Sequence, residues 1–200
     1  MSKQDARADS PTGGLVLLGG PPGAGKSTVA EALAGRAGRP TVHMHTDTFF
    51  VWIRSGFVPP YLPQAESQND VVQKVMLDAA CAYADGGYDV VLDGILGPWM
   101  LDAFRARTER HGLDLSYVVL RPSLEVTLSR ATRREGRHLK EIEPITGLHK
   151  AFEGIGALER HVLDSSAQTV EQTTAELAAG LETGRFSVGS GVPSRRPPTR

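Results

Sequence analysis

The residues that could do chemistry begin with a glycine-rich segment near the amino terminus. Residues 20–27 read Gly-Pro-Pro-Gly-Ala-Gly-Lys-Ser and fit the pattern G-x-x-x-x-G-K-[ST]. An apolar run of strand length precedes this segment and an amphipathic stretch follows it, which is the context that a phosphate-binding loop requires. We expect the backbone amides of the loop and the positive end of the following helix to bind the β-phosphate of a nucleoside triphosphate.

The side chains of this loop have separate predicted roles. Lys26 reaches the β- and γ-phosphate oxygens, Ser27 offers its hydroxyl to Mg²⁺, and Thr28 contacts the α-phosphate. The alternative is a glycine-rich turn of structural use only, and the agreement of strand, motif and helix argues against it. The predicted nucleotide-binding positions of the loop are Gly23, Ala24, Gly25, Lys26, Ser27 and Thr28.

Two carboxylates follow predicted strands at the edge where open α/β sheets bind ligands. Asp47 comes directly after the strand Thr41–His45, and Asp93 closes the apolar run Tyr88–Leu92. Asp93 fits the Walker B pattern loosely and is predicted to hold Mg²⁺ or to bind the phosphoryl acceptor, with a structural capping role as the alternative. For Asp47 the alternative to a catalytic role is an N-cap of the turn that follows.

His43 and His45 alternate along the second predicted strand and therefore extend from one face of the sheet. This spacing could indicate a metal pair. Because no third Cys or His follows at a zinc-site spacing, we expect both to be core or pocket-wall residues.

The elements that must position these residues alternate between strands and helices, which predicts a doubly wound α/β domain around a parallel sheet. The five predicted strands are Leu15–Leu18, Thr41–His45, Tyr88–Leu92, Leu115–Leu120 and Arg160–Leu163. The six predicted helices are Lys26–Arg36, Ala65–Ala84, Trp99–His111, Leu124–Arg134, Ile145–Leu158 and Gln168–Leu181. The second of these helices has a predicted apolar stripe, formed by Val71, Val72, Val75, Met76, Ala79, Ala80 and Tyr83. Ser123 is the predicted N-cap of the fourth helix. The domain is expected to span residues 15–183, between flexible ends at 1–14 and 184–200.

Composition excludes several classes of protein. The 200 residues carry a formal net charge of -1, which disfavours general nucleic-acid binding. The single cysteine, Cys81, excludes an internal disulfide framework. No apolar run is long enough for a membrane helix or resembles a signal peptide, so a cytoplasmic location is the expectation.

From Leu15 to Leu181 the order of elements, with the loop at residues 20–27, resembles that of the P-loop kinases of small molecules. This group includes chloramphenicol phosphotransferase, gluconate kinase, shikimate kinase and the kinase domain of polynucleotide kinase. The resemblance implies a three-layer P-loop NTPase fold, ATP and Mg²⁺ as cofactors, and Asp47 as the base that accepts the proton of the acceptor hydroxyl. It favours ATP over GTP and places the adenine beside Asp164–Ser166.

The resemblance also implies an Arg-rich lid at about residues 130–148. Four arginines follow the fourth predicted strand at a spacing of three or four residues, so they share one side of a helix: Arg130, Arg133, Arg134 and Arg137. Arg130 and Arg134 are the predicted catalytic residues of the lid, and Arg130 with Arg133 is predicted to bind the nucleotide. The alternative is a solvated helix whose arginines pair with nearby glutamates.

The connector after Asp47 is rich in aromatic residues and proline, which indicates a shaped pocket for an organic alcohol or, alternatively, a second small core. The predicted substrate-contacting residues are Asp47, Phe50, Trp52, Arg54, Tyr61, Asn69, Asp93 and Trp99. Gln68 is a further polar candidate.

These observations predict a phosphotransferase that moves the γ-phosphate of ATP to a hydroxyl of an antibiotic-, sugar- or metabolite-like small molecule. A kinase of nucleosides, nucleotides or polynucleotide 5′-hydroxyls is the related alternative. A slow ATPase that acts as a switch is the alternative from another class, with the Arg-Pro-rich segment at residues 195–198 as a docking element. The sequence does not indicate an oligomeric state.

Overall fold

The structure, a computed structural model, describes residues 13–133 and 141–189. Its five strands form one sheet in the order β2-β3-β1-β4-β5, and every pairing between them is parallel. The strands are Leu15–Gly19 (β1), Thr41–His45 (β2), Asp89–Asp93 (β3), Leu115–Leu120 (β4) and Val162–Leu163 (β5). The α-helices of the described residues are Lys26–Gly35 (α1), Thr46–Val51 (α2), Glu66–Asp85 (α3), Leu101–His111 (α4), Leu124–Thr132 (α5), Ile142–Ala151 (α6) and Val170–Glu182 (α7).

Helices cover both faces of the sheet, because alternate strand residues enter two separate cores. In β1, Leu15 and Leu17 pack with α3 and α4, whereas Leu18 packs with α1 and α7. The two faces of β4 divide in the same way, with Tyr117 in the first core and Val118 in the second. The prediction of a five-stranded, three-layer α/β fold is therefore confirmed. In the described parts of the chain, no helix combines the length and apolarity needed to cross a membrane.

The strand order brings the predicted site residues to one edge. The central strand β1 ends in the glycine-rich loop, with Leu18 opposite Asp93 of β3. On the other side of β3, the register places His45 of β2 opposite Asp93. The carboxyl ends of β2, β3 and β1 consequently lie side by side.

The predicted apolar stripe of α3 is partly wrong. Val72, Met76 and Ala80 are buried, but Val71 and Val75 are exposed. Tyr83 is exposed as well, while the buried face extends instead to Leu77, Cys81 and Ala84. Helical periodicity identifies an apolar side but not which row along it meets the sheet.

Other elements differ from their predicted bounds. The helix predicted at Ile145–Leu158 is α6, which ends at Ala151, and a 3₁₀ segment at Gly156–His161 follows it. That segment includes Arg160 and His161, the first half of the strand predicted at Arg160–Leu163, and leaves two residues in β5. The predicted N-cap is confirmed, since the Ser123 hydroxyl accepts a hydrogen bond from the Val126 amide.

The domain is packed beyond both predicted boundaries. The Gly13 amide donates to the Ala84 carbonyl, and the Gly14 amide donates to Asp89 Oδ1. Residues 184–189 were expected in the flexible tail, but Phe186 is fully buried. In the structure Gly13, Gly14 and Phe186 thus pack with the domain, while residues 1–12 and 190–200 lie outside the described residues.

The segment at residues 186–188 pairs with the first half of β4, where β5 does not reach. The Tyr117 amide donates to the Phe186 carbonyl over 2.9 Å, and the Val188 amide donates to the Leu115 carbonyl over 2.9 Å. These two bonds flank an antiparallel bridge between Ser116 and Ser187. The second half of β4 pairs with β5 instead.

Candidate nucleotide-binding and catalytic site

The glycine-rich loop connects β1 to α1 and is shaped for an anion. Gly25 is the N-cap of α1 at φ 90°, and among the described residues no side chain caps this helix. The amides of the first turn are therefore left to a ligand at the positive end of the helix. A Cβ built on Gly25 would meet no described atom within 4 Å, so the space beside the loop is open at this residue.

Lys26 lies across the loop. Its side chain is buried, and Nζ donates to the Pro21 carbonyl over 2.8 Å. An ammonium held there lies beside the backbone amides of the loop, where the oxygens of a terminal phosphate would bind. The predicted position of Lys26 at the phosphates stays a prediction that this geometry supports.

Ser27 and Asp93 bring a hydroxyl and a carboxylate together beside the loop. Ser27 Oγ donates to Asp93 Oδ2 over 2.7 Å, and Asp93 is only 3% exposed. Burial raises the pKa of the Asp93 carboxyl, but hydrogen bonds from His43 and Ser27 and the nearby histidine charges outweigh it and hold that pKa below its ordinary value. Hard oxygen donors of this kind fit Mg²⁺.

The other oxygen of Asp93 is contacted by two histidines that sequence reasoning placed in the core or a pocket wall. His43 Nε2 and His45 Nδ1 each lie 2.9 Å from Asp93 Oδ1. The His45 side chain is 47% exposed, so it is not a core residue. Sequence spacing missed this cluster because its third member comes from β3 and is a carboxylate rather than a Cys or His.

Asp47 lies in the first turn of α2, two residues after His45. Its alternative role as an N-cap is wrong, because α2 begins at Thr46 and His45 holds the N-cap position. The Asp47 side chain is exposed at the same sheet edge as the loop, while Thr46 beside it is buried. A carboxylate in a first helical turn is stabilised by the helix dipole and is free to meet a hydroxyl from solution.

A cleft of about 310 Å³ opens beside the loop, between α1, α5 and the start of α7. Arg130 forms one wall and donates from Nη2 to the Ser165 carbonyl over 3.1 Å. The predicted adenine-side loop therefore contributes Ser165, while the start of α7 adds residues that sequence reasoning did not single out. The lining residues are Ala24, Gly25, Thr28, Val29, Arg130, Ser165, Gln168, Thr169, Val170 and Thr173.

The predicted arginine-rich lid is described only in part. Arg133 is exposed at the end of α5 and is not among the cleft-lining residues. Arg134 and the rest of residues 134–140 lie outside the described residues. The lid and its role in closing over the nucleotide stay predictions.

A second groove, of about 460 Å³, lies between α2 and α3 and is mainly apolar. Its lining residues are Phe49, Trp52, Ile53, Ser67, Gln68, Val71, Val72 and Val75. Of the predicted substrate residues, Trp52 and the further candidate Gln68 are in this set. Helical spacing places Asp47 on the opposite side of α2 from Phe49, so the groove and the candidate base do not share one face.

The other predicted substrate residues lie elsewhere. Phe50 and Trp99 are half-buried against the first core, and Arg54 and Tyr61 are exposed. Asn69 Nδ2 donates to the Pro60 carbonyl over 2.8 Å.

Gln68, the neighbour of Asn69, exchanges two hydrogen bonds with the backbone of Val58. These amide side chains fasten the connector to α3. A substrate contact by either of them stays a prediction.

Comparison with known proteins agrees with this geometry. A family model described as an AAA domain, AAA_33, matches residues 15–152. No curated protein matches the sequence significantly. The structure is similar to a sugar kinase from Janibacter sp. HTCC2649, with 21% identity over 85% of this chain and 95% of that chain, and a TM-score of 0.66.

Two further solved structures are similar over nearly their whole length. The tunicamycin resistance protein of Deinococcus radiodurans is 17% identical over 88% of this chain and 99% of that chain, with a TM-score of 0.64. The APS kinase of Mycobacterium tuberculosis, in complex with AMPPNP and APS, is 18% identical over 86% of this chain and 99% of that chain, with a TM-score of 0.61. The chain belongs to the AAA_33 family of AAA domains, and its fold is that of the P-loop kinases.

Proposed function

We propose that this protein is an ATP- and Mg²⁺-dependent phosphotransferase that moves the γ-phosphate of ATP to a hydroxyl of a small organic molecule. The observation that carries the proposal is the strand order β2-β3-β1. It aligns three chemical elements along one sheet edge: Asp47 after β2, Asp93 at the end of β3, and the loop with Lys26 and Ser27 after β1. A donor phosphate at the loop would thus face a carboxylate that can receive a proton.

In the proposed reaction, the acceptor hydroxyl attacks the γ-phosphorus of ATP. Its oxygen forms the new O–P bond as the bond from the γ-phosphorus to the bridging oxygen breaks, and ADP leaves. Asp47 orients the hydroxyl and accepts its proton. Lys26 and the loop amides bind the phosphate oxygens, and Ser27 with Asp93 would hold Mg²⁺, which supplies further neutralisation of phosphate charge.

The cleft beside the loop supports a nucleotide as the donor. It continues from Gly25 of the loop and Thr28 of α1 to Ser165 and the start of α7, so that a nucleoside whose phosphates bind the loop could extend into it. Arg130 borders this cleft and brings a permanent positive charge to it. ATP is proposed over GTP from the family resemblance, and one similar structure holds the ATP analogue AMPPNP.

The acceptor is proposed as an antibiotic-, sugar- or metabolite-like alcohol. What supports this class is the similarity in fold to a sugar kinase and a tunicamycin resistance protein. The net charge of -1 disfavours a polyanionic acceptor such as an oligonucleotide.

The test is phosphoryl transfer to a panel of sugars, nucleosides, hydroxylated antibiotics and 5′-hydroxyl oligonucleotides, with ADP and product mass followed together. We expect one class to gain a phosphoryl group. Asp47→Asn should lower that rate by about 10²–10⁴-fold, the usual contribution of a general base, while ATP still binds. Asp70→Asn, an exposed carboxylate on α3, is the matched control and should keep the wild-type rate. ADP without any phosphorylated product would contradict the proposal and favour an ATPase switch.

A further inference from the structure

The end of β3 and the edge strand β2 form a cluster that phosphoryl transfer does not explain. Within residues 13–133 and 141–189, His43, His45 and Asp93 are the group whose ligand atoms could hold a metal ion, and these atoms all lie within 4.8 Å of one another. The two histidines are two residues apart on β2, and Asp93 is the register partner of His45. Their proximity therefore follows from the backbone of the sheet and not from a loop.

The contacts within the cluster converge on a single atom. His43 Nε2 and His45 Nδ1 both lie 2.9 Å from Asp93 Oδ1. The imidazole rings lie 4.1 Å apart with planes inclined at 49°. Two nitrogen donors and one carboxylate oxygen are thus directed at one small volume.

This donor set is typical of a borderline divalent transition ion. Such ions bind imidazole nitrogen at about 2.0–2.1 Å and carboxylate oxygen at about 2.0–2.2 Å, which places neighbouring ligands of a tetrahedral site about 3.4 Å apart. The observed N–O distances of 2.9 Å are within reach of that spacing through small side-chain rotations. Mg²⁺, in contrast, prefers oxygen ligands and gains little from imidazole.

The surroundings resemble those of a metal centre with one open side. The side chains of Asp93 and His43 are 3% and 14% exposed, whereas that of His45 is 47% exposed. An ion would therefore be held from the protein side and would keep coordination positions toward solvent. The second oxygen of Asp93 accepts the Ser27 hydroxyl bond, which fixes the orientation of the carboxylate as outer hydrogen bonds do in metal sites.

We propose that His43, His45 and Asp93 bind one divalent transition-metal ion, of the class of Zn²⁺ or Co²⁺, at Asp93 Oδ1. This site is separate from the Ser27 side of the carboxylate, where Mg²⁺ is expected with the nucleotide. The proposal goes beyond the proposed function, because neither nucleotide binding nor phosphoryl transfer requires imidazole ligands. It holds or fails without reference to any acceptor.

The test uses the full chain without an affinity tag, freed of metal and studied without nucleotide or Mg²⁺. Zn²⁺ binding is measured by calorimetry, and Co²⁺ binding by its visible absorption. We expect one ion per chain, and an affinity that falls by about tenfold or more in His45→Ala and in His43→Ala. Because His45 is half-exposed, its variant should remain folded, which circular dichroism checks.

The matched control is His111→Ala, since His111 at the end of α4 forms an exposed pair with Asp85 at the end of α3 and contacts none of the proposed ligands. Its Zn²⁺ affinity should equal that of the wild type. The proposal is overturned if the wild type shows no saturable binding of either ion. It is equally overturned if a folded His45→Ala variant binds Zn²⁺ as tightly as the wild type.

Discussion

Two glycines of the phosphate-binding loop provide a test of how the loop is held, because both have a positive φ angle but they differ in their surroundings. Gly23 and Gly25 lie at φ 84° and φ 90°. A Cβ on Gly23 would lie 2.4 Å from the Thr127 carbonyl oxygen and 3.1 Å from Ala131 Cβ, both in α5. A Cβ on Gly25 would meet no described atom within 4 Å.

The expected losses of stability follow from these contacts. Placing alanine in a left-handed conformation costs about 1–2 kcal/mol at either position. Gly23→Ala must in addition displace α5, and overpacking of this kind costs about 1–3 kcal/mol. We therefore expect the free energy of unfolding to fall by about 1–2 kcal/mol in Gly25→Ala and by about 2–5 kcal/mol in Gly23→Ala.

Urea unfolding followed by circular dichroism, without nucleotide, gives both values by linear extrapolation. Repeating the urea unfolding with ATP and Mg²⁺ tests whether the loop binds phosphate, since a ligand at a hundred times its Kd adds about 2.7 kcal/mol to the free energy of unfolding. Gly25→Ala should lose this increment, because its Cβ enters the open space where the phosphate binds. Equal destabilisation of the two variants would refute the packing of the loop against α5, and full ATP stabilisation of Gly25→Ala would refute the position of the phosphate.

Two further predictions concern the nucleotide cleft and the pH dependence of stability. Arg130→Ala should weaken ATP binding by about tenfold to a hundredfold, as expected for a contact of about 1.5–3 kcal/mol to a charged group. Arg110→Ala, at the exposed end of α4, should change ATP binding little. Calorimetric titration compares the two variants, and equal effects would contradict the placement of Arg130 at the cleft. Burial lowers the pKa of His161, so the ring binds a proton more weakly in the folded chain than in the unfolded chain. The free energy of unfolding should therefore fall as the pH drops below about 6.5. His161→Gln should flatten that fall by at most about 1.4 kcal/mol per pH unit in urea unfolding, and an unchanged pH dependence would contradict the assignment.

The sequence predicts the parts of this molecule that depend on local pattern. The loop motif at residues 20–27, the five strands and the Ser123 cap all follow from residue type and spacing over a few positions. Because the carboxyl ends of parallel strands lie at the same edge of a sheet, the sequence also predicts that Asp47 and Asp93 lie at the binding edge. For the loop, the strands and the cap, the determining interactions lie within one element or its immediate flank.

The parts that were missed depend on which elements become neighbours. The contact of His43 and His45 with Asp93 requires the pairing and register of β2 with β3, which no local pattern specifies. The exposure of Val71 likewise depends on the angle at which α3 meets the sheet. Composition predicts a flexible end from Gly184 onward, because the sequence from there to Arg200 is rich in Gly, Ser, Pro and Arg. The burial of the one aromatic side chain in residues 184–189, that of Phe186, depends instead on its contacts with the domain.

The pairing of residues 186–188 with β4 has a consequence for association between chains. Without this segment, the Tyr117 amide and the Leu115 carbonyl would form an open strand edge beside apolar side chains. Such edges recruit strands from other molecules and lead to aggregation. Residues 186–188 thus cover the part of the β4 edge that β5 does not pair with. A chain shortened before Phe186 would expose this edge and should be less soluble, although it loses few described residues.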